Sequence, residues 1–418
     1  MRTQAYRKRW YVLLVFVYYS CINAIQMTEY SSITETVAGY YQVTNFSVNW
    51  TSLLHMVLYP FLMAPAAWIM QRFGLRLAYC CGCLGTAIGI FVKFLAISRQ
   101  GFCWLLLGQG LTAASSVFIM CLPPKIAAVW FTPSKISTAC SLGTMGPNLG
   151  NALGYVLAVT IVPNNPDPEE VGRGLKTLNI VSAALITPAC LAVVFYLPSK
   201  PPQTPTEQQS SPQLLPTQTR RVKYSKGFLL HLLAYSLNLG VFSTGMILLS
   251  ELVVSYFKGA MQAAGWMGFC MMISGLLGSV IFGVYLDRTH QYKVACVATS
   301  LGSASSILLL LLALHQRSLG FSFFLCGLFG VFANPIIPVG YELGIELSYP
   351  SDESTVAGLL FAASQVASVL LAISIAQVNN YWGAASALLS MGALFSLGAL
   401  LESLVPPRFG RLEALQEQ

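Results

Sequence analysis

Charge is what this sequence has least of. Only 9% of its 418 residues are Asp, Glu, Lys or Arg, where soluble domains carry roughly 25%, and that shortfall excludes a soluble globular domain. Acidic residues number 15 against 23 basic ones, and histidines only 4. No nucleophile, base and metal-ligand spacing occur together, which argues against an intramembrane enzyme. The 11 cysteines lie in or beside apolar runs with no histidine at zinc-site spacing. Cys80, Cys81 and Cys83 read as small helix-packing residues, so neither a disulfide scaffold nor a metal site is expected. No cofactor is implied.

What the chain has instead is apolar length: 55% hydrophobic residues and a mean hydropathy of +0.65. Runs of about 20 residues are each long enough to cross a bilayer core as a helix, the form that satisfies its own backbone in lipid. Twelve spans are read, at 10–32, 52–71, 77–97, 102–122, 137–161, 176–196, 227–256, 264–286, 293–314, 320–346, 355–378 and 382–404. The net charge of +8 would suit nucleic acid, but its placement points to a bilayer and no nucleic-acid partner. With a cytosolic N-terminus, only Arg99, Arg173, Lys176, Lys258 and Arg317 fall on the outer side and Lys93 within a span. All other Lys and Arg are cytosolic, the positive-inside signature, and both termini are expected in the cytosol. The two sequons, Asn45-Phe46-Ser47 and Asn49-Trp50-Thr51, fall in the first outer loop, where glycosylation at Asn45 and Asn49 is topologically possible. The first apolar run is too long for a signal peptide and lacks a small-residue cleavage site. The expectation is a monomeric multi-pass protein of the plasma membrane, with an intracellular organelle as the alternative.

The spans divide six and six about a Pro-, Gln-, Ser- and Thr-rich stretch, 197–226, read as a flexible cytosolic linker. The expected organisation is an N-terminal bundle at 1–196, that linker, a C-terminal bundle at 227–404 and a tail at 405–418. The bundles echo each other. QRFGLR (71–76) follows the second span and DRTHQYK (287–293) the eighth, while PSKIST (133–138) follows the fourth and PSDEST (350–355) the tenth. The offsets agree to within one residue, as in transporters built from two six-helix halves with the substrate between them.

Polar groups inside spans are costly and therefore informative. The ionisable ones are Glu29, Lys93, Glu251, Glu342, Glu346 and Glu402, with His55 and His231. Lys93 and Glu402 lie near span ends and are expected to snorkel to the interface; the two histidines are expected to be packing or interfacial residues. At 100° per residue, Tyr19, Asn23, Gln26 and Tyr30 share one stripe of the first helix, flanked by Met27 and Glu29. The fifth span carries Thr144, Asn148, Asn151 and Tyr155 beside a Gly146, Gly150, Gly154 seam. The seventh offers Tyr235, Asn238, Phe242, Ser243 and Glu251, and the eleventh Ser364 and Gln365. Two readings follow: walls of one substrate cavity shared by both halves, or interhelical hydrogen bonds that hold each bundle together. At the cytosolic ends, Lys125 and Lys135 bracket the fourth loop, whereas the matched region of the other half carries Glu342, Glu346, Asp352 and Glu353, and the expectation is that they pair when the inner side is shut. Such pairs would bias the cavity outward, each exposed pair contributing about 1 kcal/mol or less.

The stretches KRWYVLLVFVYYS (8–20), NAIQMTEY (23–30), NWTSLLHMVLYPFLMAPAAWIMQRFGLR (49–76), PPKIAAVWF, STACSLG (137–143) and above all PVGYELGIELSYPSDES (338–354) resemble the feline leukaemia virus subgroup C receptor (FLVCR) family of the major facilitator superfamily. The resemblance implies an all-α membrane fold of twelve helices in two bundles. It also implies facilitative transport of choline, ethanolamine or a related amine, with haem export as the older description. In that family an Asp-Arg pair latches the cytosolic side; Asp287 and Arg288 fit, whereas Gln71 precedes Arg72. The family holds a quaternary ammonium with a first-helix Trp and a seventh-helix Tyr, aided by Gln residues. Here the Trp position is Met27, the Tyr position Ser243, the fifth-helix Gln Asn148, and the eleventh-helix Gln is kept as Gln365, while Glu29 replaces a second Gln beside the retained Gln26 and Tyr30. GWMGF (265–269) resembles the branch related to the gene disrupted in renal carcinoma. The leading expectation is a rocker-switch carrier of a cationic or zwitterionic amine, with Glu29 supplying the counter-charge. A haem exporter, a proton-coupled metabolite carrier titrating Glu29, and a transport-inactive receptor remain open.

Overall fold

The computed structural model describes residues 8–131, 136–164, 167–196, 225–348 and 353–406. Residues 197–224 of the linker expected at 197–226, the tail beyond 406, Lys135 and Asp352 lie outside the described residues, as do the side chains of Gln71, Lys125, Thr144, Asp287 and Glu353; the last two linker residues, Ser225 and Lys226, instead cap and open a helix. The chain divides into two compact units, Met1–Thr217 and Gln218–Gln418.

In the first unit α1 (Lys8–Thr28) runs uninterrupted because KRWYVLLVFVYYSCINAIQMT contains no Pro or Gly. It stops short of the expected residue 32. Ser31 and Ser32 donate their hydroxyls back to the Thr28 and Glu29 carbonyls at 3.0 and 2.9 Å, which closes the chain into a 3₁₀ turn, Ser31–Ile33. A short helix α2 (Thr34–Tyr41) follows where a loop was expected. Next come α3 (Asn45–Val92), a 3₁₀ turn at Lys93–Ile97, α4 (Phe102–Trp130), α5 (Ile136–Ile161) and α6 (Pro168–Leu191). Helix α3 holds two spans, broken at Gly74, where φ 82° and ψ −178° interrupt the helical run. A Cβ there would meet nothing within 4 Å; glycine is required by the backbone angles and not by crowding.

The glycine seam of α5 lies against α1. A methyl group at Gly150 would overlap the Cys21 carbonyl, and one at Gly154 the Thr28 hydroxyl. The small-residue stripe therefore does what its spacing predicts, bringing two backbones into close approach. The Thr28 hydroxyl donates to the Asn151 carbonyl at 3.1 Å and fastens the same pair of helices. Deeper in the unit, Phe16, Tyr19 and Tyr79 form an aromatic cluster with centroids 5.4 to 5.9 Å apart.

The second unit contains α7 (Lys226–Tyr256), α8 (Met261–Thr289), α9 (Tyr292–His315), α10 (Leu319–Ala333), α11 (Ile336–Ser348) and α12 (Glu353–Ser403). The Ser225 hydroxyl caps α7 by accepting from the Phe228 N–H at 3.0 Å. In the most apolar window of α7, 89% of residues are buried, against 28% in α8; α7 is central, and α8 turns Leu277, Val280 and Ile281 outward. The expected single span at 320–346 is two helices, because Pro335 lacks the N–H that would continue α10. Helix α12 holds two spans broken at Gly383, φ 83°, beside exposed Tyr381 and Trp382, residues that favour a membrane–water interface. Divided at Gly74 and Gly383, and with α10 and α11 as one interrupted span, the described helices make six crossings in each unit.

Candidate functional site

The polar stripe of α1 points into the first unit. Asn23 donates to the Thr86 hydroxyl at 2.9 Å and the Thr112 carbonyl at 3.0 Å. Gln26 donates to the Ser182 hydroxyl and to Glu29, both at 3.3 Å, while its backbone carbonyl accepts from Gln109 at 2.8 Å. The Tyr30 hydroxyl donates to Asn179 at 3.2 Å, and Asn179 in turn donates to the Lys93 carbonyl at 3.2 Å. At the centre, the Lys93 ammonium lies 2.6 Å from the Glu29 carboxylate, and both side chains are 0% exposed. The same ammonium donates to the Gln26 side-chain carbonyl and stands 5.1 Å from the Tyr30 ring centroid. A carboxylate, an amide oxygen and an aromatic face thus enclose one ammonium, which belongs to the chain itself.

Three expectations change here. The snorkelling expected of Lys93 does not occur: its stem leaves the end of α3 towards the bundle interior, where Glu29 neutralises it. Glu29 is therefore not a free counter-charge for a substrate amine. Glu402, also expected to snorkel, is 2% exposed and lies 2.9 Å from Nδ1 of His231, whose full burial fits the packing alternative expected for it rather than the interfacial one. Neither pairing carried a sequence signal, since the partners stand 64 and 171 residues apart.

The remaining candidates separate by exposure. Asn238 is buried, donates to Ser300 at 2.8 Å, and fits because Gly398 leaves room where a Cβ would overlap its amide oxygen. Ser243 is buried at 9% exposure. Met27, Asn148 and Gln365 are only half-buried, and the Gln365 side-chain oxygen has no partner among the described residues. Of the gating candidates, Arg72 is exposed with its guanidinium 5.5 Å from the Trp68 ring, and Arg288 and Glu342 are exposed. Glu346, expected at an exposed ion pair, is instead 3% exposed on α11. Asn45, which opens α3, is half-buried, whereas Asn49 is 2% exposed one turn later.

Residues 12–341 match the family described as Major Facilitator Superfamily. The choline/ethanolamine transporter flvcr2a of Danio rerio is 31% identical over 99% of this chain and 90% of its own length. The chain belongs to the FLVCR family of that superfamily. The human choline/ethanolamine transporter FLVCR2 is 30% identical over 98% of this chain and 80% of its own length. Among solved structures, a bacterial homologue of the human lysosomal transporter Spinster superposes with a TM-score of 0.76 at 12% identity, covering 98% of this chain and 99% of that one. A D-xylose–proton symporter gives 0.74 at 13% identity, covering 96% and 98%. These establish the fold, and the chain is a multi-pass membrane transporter of small organic solutes. Of the residues expected to contact solute, Met27, Asn148 and Gln365 are partly exposed, while the Gln26, Glu29 and Tyr30 side chains bond within their own bundle.

Proposed function

We propose that this transporter moves a small amine of the choline and ethanolamine class by alternating access, and favours a primary ammonium over a quaternary one. The observation that carries the reading is the set of half-buried groups, Met27, Asn148 and Gln365. A quaternary ammonium has no N–H and depends on cation–π attraction, worth about 0.5 to 2 kcal/mol per ring. A thioether at position 27 and a hydroxyl at 243 supply no ring. The Gln365 side-chain oxygen, which has no partner among the described residues, accepts a hydrogen bond that a primary ammonium can donate and a trimethylammonium cannot. The names of the relatives support the amine class; the side-chain chemistry supports the order within it.

Glu29 enters this reading as a structural charge balanced by Lys93, so transport runs without a proton carried on Glu29. The test is uptake of labelled ethanolamine and choline into cells expressing the protein, with Met27→Trp alongside. Ethanolamine uptake above choline uptake in the wild type, with choline gaining in Met27→Trp, is expected. Preference for choline in the wild type overturns the order, and absence of uptake of both overturns the amine class.

A further inference from the structure

In the second unit three side chains from three helices converge about one helical turn from Asn238 and its partner Ser300, whose hydroxyl donates to the Cys296 carbonyl at 2.8 Å. His231 lies on the second turn of α7, Cys296 on α9 and Glu402 on the last turn of α12. One ligand atom of each, the imidazole nitrogen, the thiol sulfur and a carboxylate oxygen, lies within 4.8 Å of the others, and all three residues are buried.

The hydrogen-bond pattern around His231 sets its chemistry. Nε2 lies 2.8 Å from the Gly340 carbonyl, an oxygen that only accepts, so Nε2 carries a hydrogen. The neutral imidazole then presents a lone pair at Nδ1, and Nδ1 faces both Glu402 oxygens at 2.9 and 3.0 Å. Two electron-pair donors at that distance need a positive species between them. A proton serves these two and leaves the Cys296 sulfur with a weak contact, 3.8 Å from the Val339 carbonyl. A divalent ion serves all three donors.

We propose that His231, Cys296 and Glu402 form a site for a zinc-class divalent ion that ties α7, α9 and α12 together at the basic end of the unit. The donor set selects the ion. Imidazole, thiolate and carboxylate together suit zinc and disfavour magnesium and calcium, which take oxygen ligands. Ligand atoms around a tetrahedral zinc stand roughly 3.2 to 3.8 Å apart, so the observed separations need adjustments of well under an ångström to about one. Charge also closes: a thiolate and a carboxylate balance a 2+ ion, leaving no net charge in the apolar bundle. The Gly340 carbonyl holds the ring as second-shell partners hold metal-binding histidines. Three protein ligands leave a fourth coordination position for a water molecule. Access is short, because His231 and Glu402 both lie within two turns of helix ends, and Lys293 bonds the Val405 carbonyl just beyond.

The test uses the purified full-length protein, stripped with a chelator and titrated with Co²⁺ as the spectroscopic stand-in for Zn²⁺. One equivalent of Co²⁺ producing a thiolate-to-cobalt charge-transfer band, displaced by Zn²⁺ but not Mg²⁺, is expected. Zn²⁺ should also raise Tm. Cys296→Ser removes the band, and His231→Gln weakens binding on the order of 10-fold or more. A folded, stripped wild type with no band and no Zn²⁺-dependent Tm shift overturns the proposal, as does an unchanged band in Cys296→Ser. Should Cys296→Ser not fold, the wild-type arm alone decides.

Discussion

Lys93 and Glu29, 64 positions apart in the chain, meet at 2.6 Å with neither side chain exposed. Breaking such a pair from one side strands a charge in a low-dielectric interior, at a cost of about 3 to 5 kcal/mol. Lys93→Met and Glu29→Gln singly should each lower Tm markedly or abolish expression of folded protein. The double variant should recover part of the loss, because replacing both charges can be close to neutral. Detergent-solubilised thermal stability of the three variants measures this, and a double variant no better than the worse single would contradict it.

The α1–α5 seam gives a steric prediction. Gly150→Leu drives a side chain into the Cys21 carbonyl, and an overpacked contact of this kind costs about 1 to 3 kcal/mol or more. Gly110, where a Cβ would meet nothing within 4 Å, serves as control: Gly110→Ala should leave folding and transport intact. Size-exclusion profiles of the two variants should differ accordingly.

Backbone angles carry the third. Gly74 has φ 82° and open space around it, so Gly74→Ala should destabilise by about 1 to 3 kcal/mol with no clash. Restoring glycine is the only single change expected to recover it. Tm of Gly74→Ala equal to wild type would refute the conformational account.

The two sequons should behave differently. Asn45 retains an exposed edge, whereas Asn49 is 2% exposed within the second turn of α3. Asn45→Gln should remove the gel shift sensitive to peptide N-glycosidase, and Asn49→Gln should leave it in place. The reverse pattern would show that the acceptor is read before this helix forms.

Near Asn238 the packing leaves little latitude. Gly398 lies where any Cβ would overlap the Asn238 amide oxygen, so Gly398→Val should push that amide off Ser300 and lower stability. Asn238→Ala added to Gly398→Val should relieve part of the cost, a coupling that a double-mutant cycle on Tm would reveal.

Much of this molecule was readable from its residues. Span positions followed from hydropathy, the Gly146, Gly150, Gly154 spacing foretold a close helix contact whose partner, α1, only the structure supplies, and the motifs at 23–30 and 338–354 identified the family. Projection of α1 also grouped Asn23, Gln26 and Tyr30 correctly, but a helical wheel has no outside reference and cannot say which neighbour a stripe faces. Lys93 and Glu402 were misread for a related reason. Taken singly, a charge near a span end belongs in water; only the fold brings each one a partner. The interruption at Pro335 was visible as a residue, yet the apolar run on both sides of it outweighed the missing N–H.

The seam between α1 and α5 fixes more than packing. Met27 sits on α1 and Asn148 on α5, and helices fused through glycine contacts and the Thr28–Asn151 hydrogen bond move as one body. The gauge between these two side chains is then constant through the transport cycle, like the jaws of a caliper locked at one setting. A spin-label pair on Leu14→Cys of α1 and Leu153→Cys of α5, both exposed, should report a single distance with and without solute, so any change in fit during transport has to come from elsewhere.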